Sequence, residues 1–246
     1  MPLFEICVEG VDGALAAERG GADRVELCAG LLEGGLTPSL GTIREAVPRL
    51  RIPIHVIVRP RGGDFLYSEA EFAAMLGDVA AIRAEGAAGV VIGCLSPDGT
   101  VDEPRASALA AAARPLAITF HRAFDMTPDP FAALEALLRC GIGRVLTSGQ
   151  RATAGEGFGL LRDLVARAAG RIVVMGCGAL RPDTIGAIAR AGVPELHFSA
   201  PRQEDSSMTF RNPALAMGGV AAEREYLRVV TDAELVRATI AAARAA

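Results

Sequence analysis

The chain has 246 residues, a formal net charge of −4, 51% apolar residues and no tryptophan. A chain this long hides roughly three quarters of its unfolded surface, so it can build its own core from Ala, Val, Leu and Ile. Basic residues are scattered, which excludes a nucleic-acid face or a membrane-binding stripe, and no stretch approaches the ~20 apolar residues that cross a bilayer.

In chain order the first β-branched run is Phe4–Val8, followed by a helical stretch, Ala14–Gly20, and the run Val25–Cys28. Ser39 marks a helix start, and Ile54–Arg59 is the third strand. Ser68 with Glu71 three residues on reads as a capping box, and the helix it opens runs to Gly86 before Gly89–Cys94. Leu116–Arg122 is the fifth strand; Asp129 opens a helix that ends at Gly141 before Arg144–Thr147. Arg171–Met175 is the seventh, and Asp183 precedes the helical stretch Thr184–Gly192 and the eighth strand, Glu195–Ser199. Asp232 opens the last helix, Ala233–Ala243. Each Gly after a helical stretch is expected to take the left-handed conformation that ends a helix at little steric cost.

Eight strands separated by helices must run parallel, and an even βα rhythm closes them into one (β/α)8 barrel of the TIM type, a single domain over residues 1–246. An open doubly wound sheet is disfavoured because no Gly-x-Gly-x-x-Gly turn follows the first strand. The one break in the rhythm is a loop at about residues 200–230. It contains Pro201–Asp205 and Met217-Gly218-Gly219 and reads as a lid or a partner-contacting arm beside the eighth strand.

Strand side chains alternate with period two. The helix-facing set must be apolar, so Glu5, Glu26, His55, Arg59, His121 and His197 point into or above the barrel. They include all three histidines of the chain. Burying so many ionisable groups is costly unless they pair, which leaves a structural ion-pair network or a functional site; three inward histidines with Arg59 and two carboxylates favour the site. In the loops, Arg59-Pro60-Arg61 with Gly62-Gly63 suits a carboxylate or phosphate. His121 with Asp125 suits an acid/base pair and its orienting carboxylate. Ser148-Gly149 and Gly176-Cys177-Gly178 end strands six and seven, where such barrels often hold a phosphate on backbone N–H groups; each is otherwise a tight turn. Glu5 and Glu26, His121 and His197 are the candidate acid/base or ligand groups and Arg59 the candidate anion clamp, with a small anionic or sugar-like molecule as the substrate of an enzyme of this kind.

The five cysteines do not make a disulfide scaffold, and no basic start with an apolar signal core opens the sequence. Free thiols in a reducing cytoplasm are expected. Cys7 and Cys28 occupy equivalent inward positions on adjacent strands ~4.8 Å apart. Two soft thiolates there suit Cu(I) or half of a zinc site; as small buried hydrophobes they need no metal. Cys94 and Cys177 end strands four and seven and extend the same rim, and Cys140 reads as structural.

Several blocks are specific. Phe4-Glu5-Ile6-Cys7-Val8, Gly20 to Cys28, Glu33-Gly34-Gly35-Leu36-Thr37-Pro38-Ser39, His55 to Tyr67, Thr119 to Asp125, Leu146-Thr147-Ser148-Gly149 and Arg211-Asn212-Pro213 resemble the CutC family along essentially the whole chain. The resemblance implies a cytosolic TIM-type barrel, dimeric or higher, with a role in copper homeostasis and Cys7 and Cys28 as Cu(I) ligands. The sequence departs from the family's triple-Gly turn after strand seven, where Cys177 stands between Gly176 and Gly178; that weakens a backbone phosphate cradle or adds a thiol to the rim.

Overall fold

The computed structural model describes residues 1–212, 214, 215, 217 and 224–246. Eight parallel strands close in sequence order into one barrel: β1 Leu3–Glu9, β2 Arg24–Cys28, β3 Ile54–Ile57, β4 Gly89–Ile92, β5 Ala117–Phe120, β6 Arg144–Thr147, β7 Val173–Gly176 and β8 Glu195–Phe198. The helices outside them are α1 Gly10–Arg19, α2 Leu40–Ala46, α3 Glu69–Ala84, α4 Glu103–Ala113, α5 Pro130–Arg139, α6 Phe158–Ala168, α7 Ile185–Ala189 and α8 Ala233–Arg244. Phe4, Ile6 and Val8 of β1 and Val25 and Leu27 of β2 are fully buried toward this helix layer, which commits the alternate residues to the barrel interior.

The helix starts have visible causes. Ser39, Ser68, Asp129 and Asp232 each accept a backbone N–H of the first turn, and Ser68 with Glu71 completes the reciprocal box. Asp183 does not cap α7. Thr184 stands at that N-cap, and its hydroxyl instead accepts from the Arg181 N–H. Gly86, Gly141 and Gly192 take positive φ after their helices, whereas after α1 the left-handed residue is Gly21, not Gly20. Gly20 is small for another reason: a Cβ there would lie 2.5 Å from Cβ of Val236, where α8 crosses α1.

Strands three and five end earlier than their sequence pattern suggests, so Arg59, His121 and Arg122 stand beyond the sheet at the carboxyl mouth. Strand seven starts at Val173, and Arg171 pairs with Glu135 on the surface instead. The stretch expected as a loop at 200–230 begins and ends in strands. Pro201–Asp205 (β9) and Leu227–Thr231 (β10) form an antiparallel ribbon packed beside α1. Between them Met208, Phe210, Leu215 and Met217 are exposed. Pro213 of the Arg211–Pro213 segment and Gly218-Gly219 lie outside the described residues.

Candidate functional site at the barrel mouth

The barrel interior is polar in two layers. At the floor, Arg24 bridges Glu5 and Glu195, and Arg144 grips the two carboxylate oxygens of Glu195 at 2.6 and 3.0 Å while reaching Thr119 Oγ1 at 3.3 Å. Two buried carboxylates thus meet two guanidinium groups, which removes most of the cost of desolvating them. Arg24 and Arg144 carry this floor although the sequence reading assigned neither a place in the interior. The sign was there: Arg24 lies two residues before Glu26 on the same strand face, and Arg144 two before Leu146. His55 completes the layer, with Nδ1 3.7 Å from Glu5 and no hydrogen-bond partner. Burial drops its imidazole to about 4, so it stays neutral.

The second layer follows from register. Cys7 pairs with Glu26 across β1–β2, Glu26 with His55 across β2–β3, and Glu5 with His197 across the closing β1–β8 seam. Side chains from chain positions far apart therefore share one interior. His197 Nδ1 bonds Glu5 Oε1 at 2.8 Å, and its Nε2 lies 3.7 Å from Glu26 Oε2. Burial pushes the Glu5 carboxyl up, but the hydrogen bond and charge of His197, then Arg24 and His55, hold it below the usual carboxylate range. Burial disfavours the His197 cation, yet hydrogen bonds with Cys7 and Glu5 and the charges of Glu26 and Glu5 raise it well above an ordinary histidine. Glu26 moves up through burial and the neighbouring Cys7 charge.

Cys7 and Cys28 stand at the inner edge of the mouth with their sulfurs 3.6 Å apart, and Cys28 Sγ is 3.6 Å from Glu26 Oε2. Donor atoms of Cys7, Glu26 and Cys28 all lie within 4.8 Å of one another. The thiols share a proton unequally: the hydrogen bond from Cys28 and then the contact with His197 bring Cys7 down to about 5, and the same bond, with burial, pushes Cys28 up. Cys7 is half-buried and reachable, whereas Cys28 is buried.

Above the thiols is a cavity of about 230 Å³ lined by Cys7, Glu26, Arg59, His121, Arg122 and His197, among others. An adjoining hollow of about 420 Å³ shares Cys7, Gly34, Arg122 and His197 and adds Cys177 and Gly178. The structure distributes the remaining candidates unevenly. Arg59 reaches the cavity, but its guanidinium donates to the carbonyls of Glu33, Gly35 and Gly63, so it pins two loops together and has little left for an anion. Arg61 is outside, holding Glu71, Asp64 and the Leu66 carbonyl. Asp125 does not orient His121; it accepts from Arg122, Thr147, Ser148 and Gln150. Ser148 is buried in that cluster, and Gly149 packs so closely that a Cβ would sit 2.3 Å from the Gly157 carbonyl. Gly176 faces the outer layer, where a Cβ would meet Val193, and the Cys177 N–H is spent on the Thr147 carbonyl, so of the Gly-rich turn only Gly178 and Cys177 face the hollow. Burial raises the Cys94 thiol to about 12 and also raises Cys177; Cys94 sits in the main core rather than on the rim.

His121 caps the turn after β5, its Nδ1 accepting the Ala123 N–H at 3.1 Å. That fixes the proton of the neutral ring on Nε2, which is buried and has no acceptor. Burial and the Arg59 charge lower this imidazole to about 3. Gly89, the first residue of strand four, and Gly93, just beyond its end, are absent from any sequence-based site and seat the rings. A Cβ on Gly89 would lie 2.5 Å from the His55 ring, and one on Gly93 2.2 Å from His121 Cε1.

Comparison with known proteins agrees with this architecture. The sequence profile of the CutC family matches residues 2–202. The chain is 59% identical to a CutC family protein of Mesorhizobium japonicum over all of this chain and 95% of that one. It is 48% identical to the copper homeostasis protein cutC homolog of Mus musculus, over 98% of this chain and 89% of the relative. A solved structure of a CutC protein from Streptococcus agalactiae superposes with a TM-score of 0.77 at 31% identity, covering 80% of this chain and 98% of that one. Phosphoribosylanthranilate isomerase of Thermotoga maritima shares the fold alone, at a TM-score of 0.58 and 13% identity over the full length of both. The chain belongs to the CutC family.

Proposed function

We propose that this CutC-family protein serves copper homeostasis by binding Cu(I) as cargo at Cys7 and Cys28, in the cytoplasm. The observation that carries the reading is the thiol pair, 3.6 Å apart with a Glu26 oxygen beside it. Two metal–sulfur bonds of ~2.3 Å at the trigonal angle of a three-coordinate soft ion span roughly 4.0 Å, so the sulfurs need part by only ~0.4 Å. Two thiolates select a soft monovalent ion over hard divalent ones. The Cys28 and His197 contacts favour the thiolate at Cys7, and uptake would expel the thiol protons that remain. Self-association through the exposed Met208, Phe210, Leu215 and Met217 belongs to the same reading.

Anaerobic competition titration with a Cu(I) chelator tests it. The wild-type chain is expected to take up one ion tightly, and the Cys7→Ser/Cys28→Ser double variant to lose that uptake. Stoichiometric binding retained by the double variant would sink the assignment.

One observation favours a second reading, an enzyme. Cys7 and His197 line the same cavity, and His197 Nδ1 is held by Glu5 Oε1 at 2.8 Å. A thiol, an imidazole and an orienting carboxylate in series suit acid–base chemistry on a small molecule. Metal-independent turnover of such a molecule, abolished by His197→Ala, would favour it.

A further inference from the structure

We infer that the barrel mouth holds a binding site for a small polyhydroxylated oxyanion, with Arg122 as its cation and His121 as a second donor, beyond and independent of the copper reading. Arg122 is built into place. Its Nε donates to Asp125 Oδ2 at 2.8 Å and its Nη2 to Ser148 Oγ at 2.8 Å, which leaves Nη1 with no partner among the described residues. Asp125 is itself locked by Thr147 Oγ1 at 2.5 Å and by the backbone N–H groups of Ser148 and Gln150, both at 3.1 Å. A surface ion pair needs no such scaffold. One carboxylate fixed by several donors gives the arginine a single orientation, which lowers the ordering cost of receiving a ligand. The Arg122 side chain is 47% exposed, and it lines both the cavity over the thiols and the adjoining hollow.

His121 supplies the second, independent observation. It is 4% exposed, lines the same cavity, and carries a buried Nε2–H with no acceptor among the described residues. An unmet buried donor costs ~1–3 kcal/mol, and a small turn of the ring that brought Nε2–H to a ligand oxygen would remove that cost. The rest of the lining includes groups different in kind, Glu26, Glu33 and His197. Carboxyl groups accept from hydroxyls, so an oxyanion at the Arg122 side and hydroxyls toward Glu26 and Glu33 match the lining. A volume of about 230 Å³ holds roughly eight waters, which fits a molecule of four or five carbons.

The test uses the metal-free full chain and calorimetric titration with D-erythronate, inorganic phosphate and the uncharged polyol erythritol. Erythronate is expected to bind with a Kd below ~1 mM, erythritol not to bind, and Arg122→Gln to weaken erythronate ~10-fold or more. Arg122→Lys keeps the charge without the fork and should recover only part of the loss; it also serves if Arg122→Gln fails to fold. Phosphate binding that Arg122→Gln removes would support the site and assign it a phosphate head group. No binding of either anion at 10-fold above that Kd limit, or equal binding by the wild type and both Arg122 variants, would overturn the inference. Arg122→Gln should lose erythronate while taking up Cu(I) as the wild type does, so failure of one site is visible apart from failure of the other.

Discussion

The floor and the mouth of this barrel are made of the same residue types and behave differently. At the floor, two arginines and two glutamates neutralise one another, and only His55 keeps an unmet atom. At the mouth, His121 Nε2 is buried with no partner among the described residues, and a half-buried thiol faces a cavity. A polar barrel interior is therefore not in itself a functional signal. The satisfied layer sets the shape, and the unsatisfied one is where the proposed ligands would be received.

The largest effect should come from breaking the floor. Arg24→Met leaves Glu5 short of a partner and is expected to cost ~3–5 kcal/mol of unfolding free energy, read by urea denaturation. A variant as stable as wild type would show that the floor is not a structural network. Next comes pH. His55 has a folded value near 4 against an unfolded 6.5, so the unfolded chain binds this proton first. Its contribution is intact above about pH 6.5 and is lost as pH falls toward 4, on the order of 3 kcal/mol. His55→Gln should flatten that slope; an unchanged slope would assign it to other groups. His197 works in the opposite sense, because its raised value gives stability that is lost as pH rises through it.

Gly89 and Gly93, at the two ends of strand four, sharpen the contrast. Gly89→Ala drives into the His55 ring at the floor and Gly93→Ala into His121 at the mouth. Both should cost about 1–3 kcal/mol, but only Gly93→Ala should also weaken erythronate binding. If the two substitutions weaken it equally, floor and mouth are not separable. Smallest of all, Cys7→Ser/Cys28→Ser is expected to shift the melting temperature by only a few degrees, under ~1 kcal/mol, while removing the metal site.

Much of this was legible in the sequence, because alternation needs no partner to be read. Period two alone puts Glu5, Cys7, Glu26 and His55 in the interior, and they lie there. Hydrogen-bond partners were another matter. Arg24 finds Glu195 across 171 residues, and that pairing depends on closure of the barrel, not on local pattern. Asp125 and Arg59 were read by residue type as site groups. The structure spends Asp125 on fixing Arg122 and Arg59 on loop carbonyls. Arg122 was visible only as the neighbour of His121; its free edge becomes evident once Asp125 and Ser148 are seen to occupy the other two nitrogens.

The bond between Glu5 and His197 spans 192 residues, and this has a consequence for synthesis on the ribosome. Glu5 emerges among the first residues, and one of its two main partners is made when four fifths of the chain already exist. Until β8 arrives, β1 offers an open edge and a carboxylate only half accommodated. The nascent barrel thus has a built-in reason not to settle early, and a product that stops short of His197 would carry an unclosed sheet edge, the kind of surface that quality-control proteases and chaperones recognise.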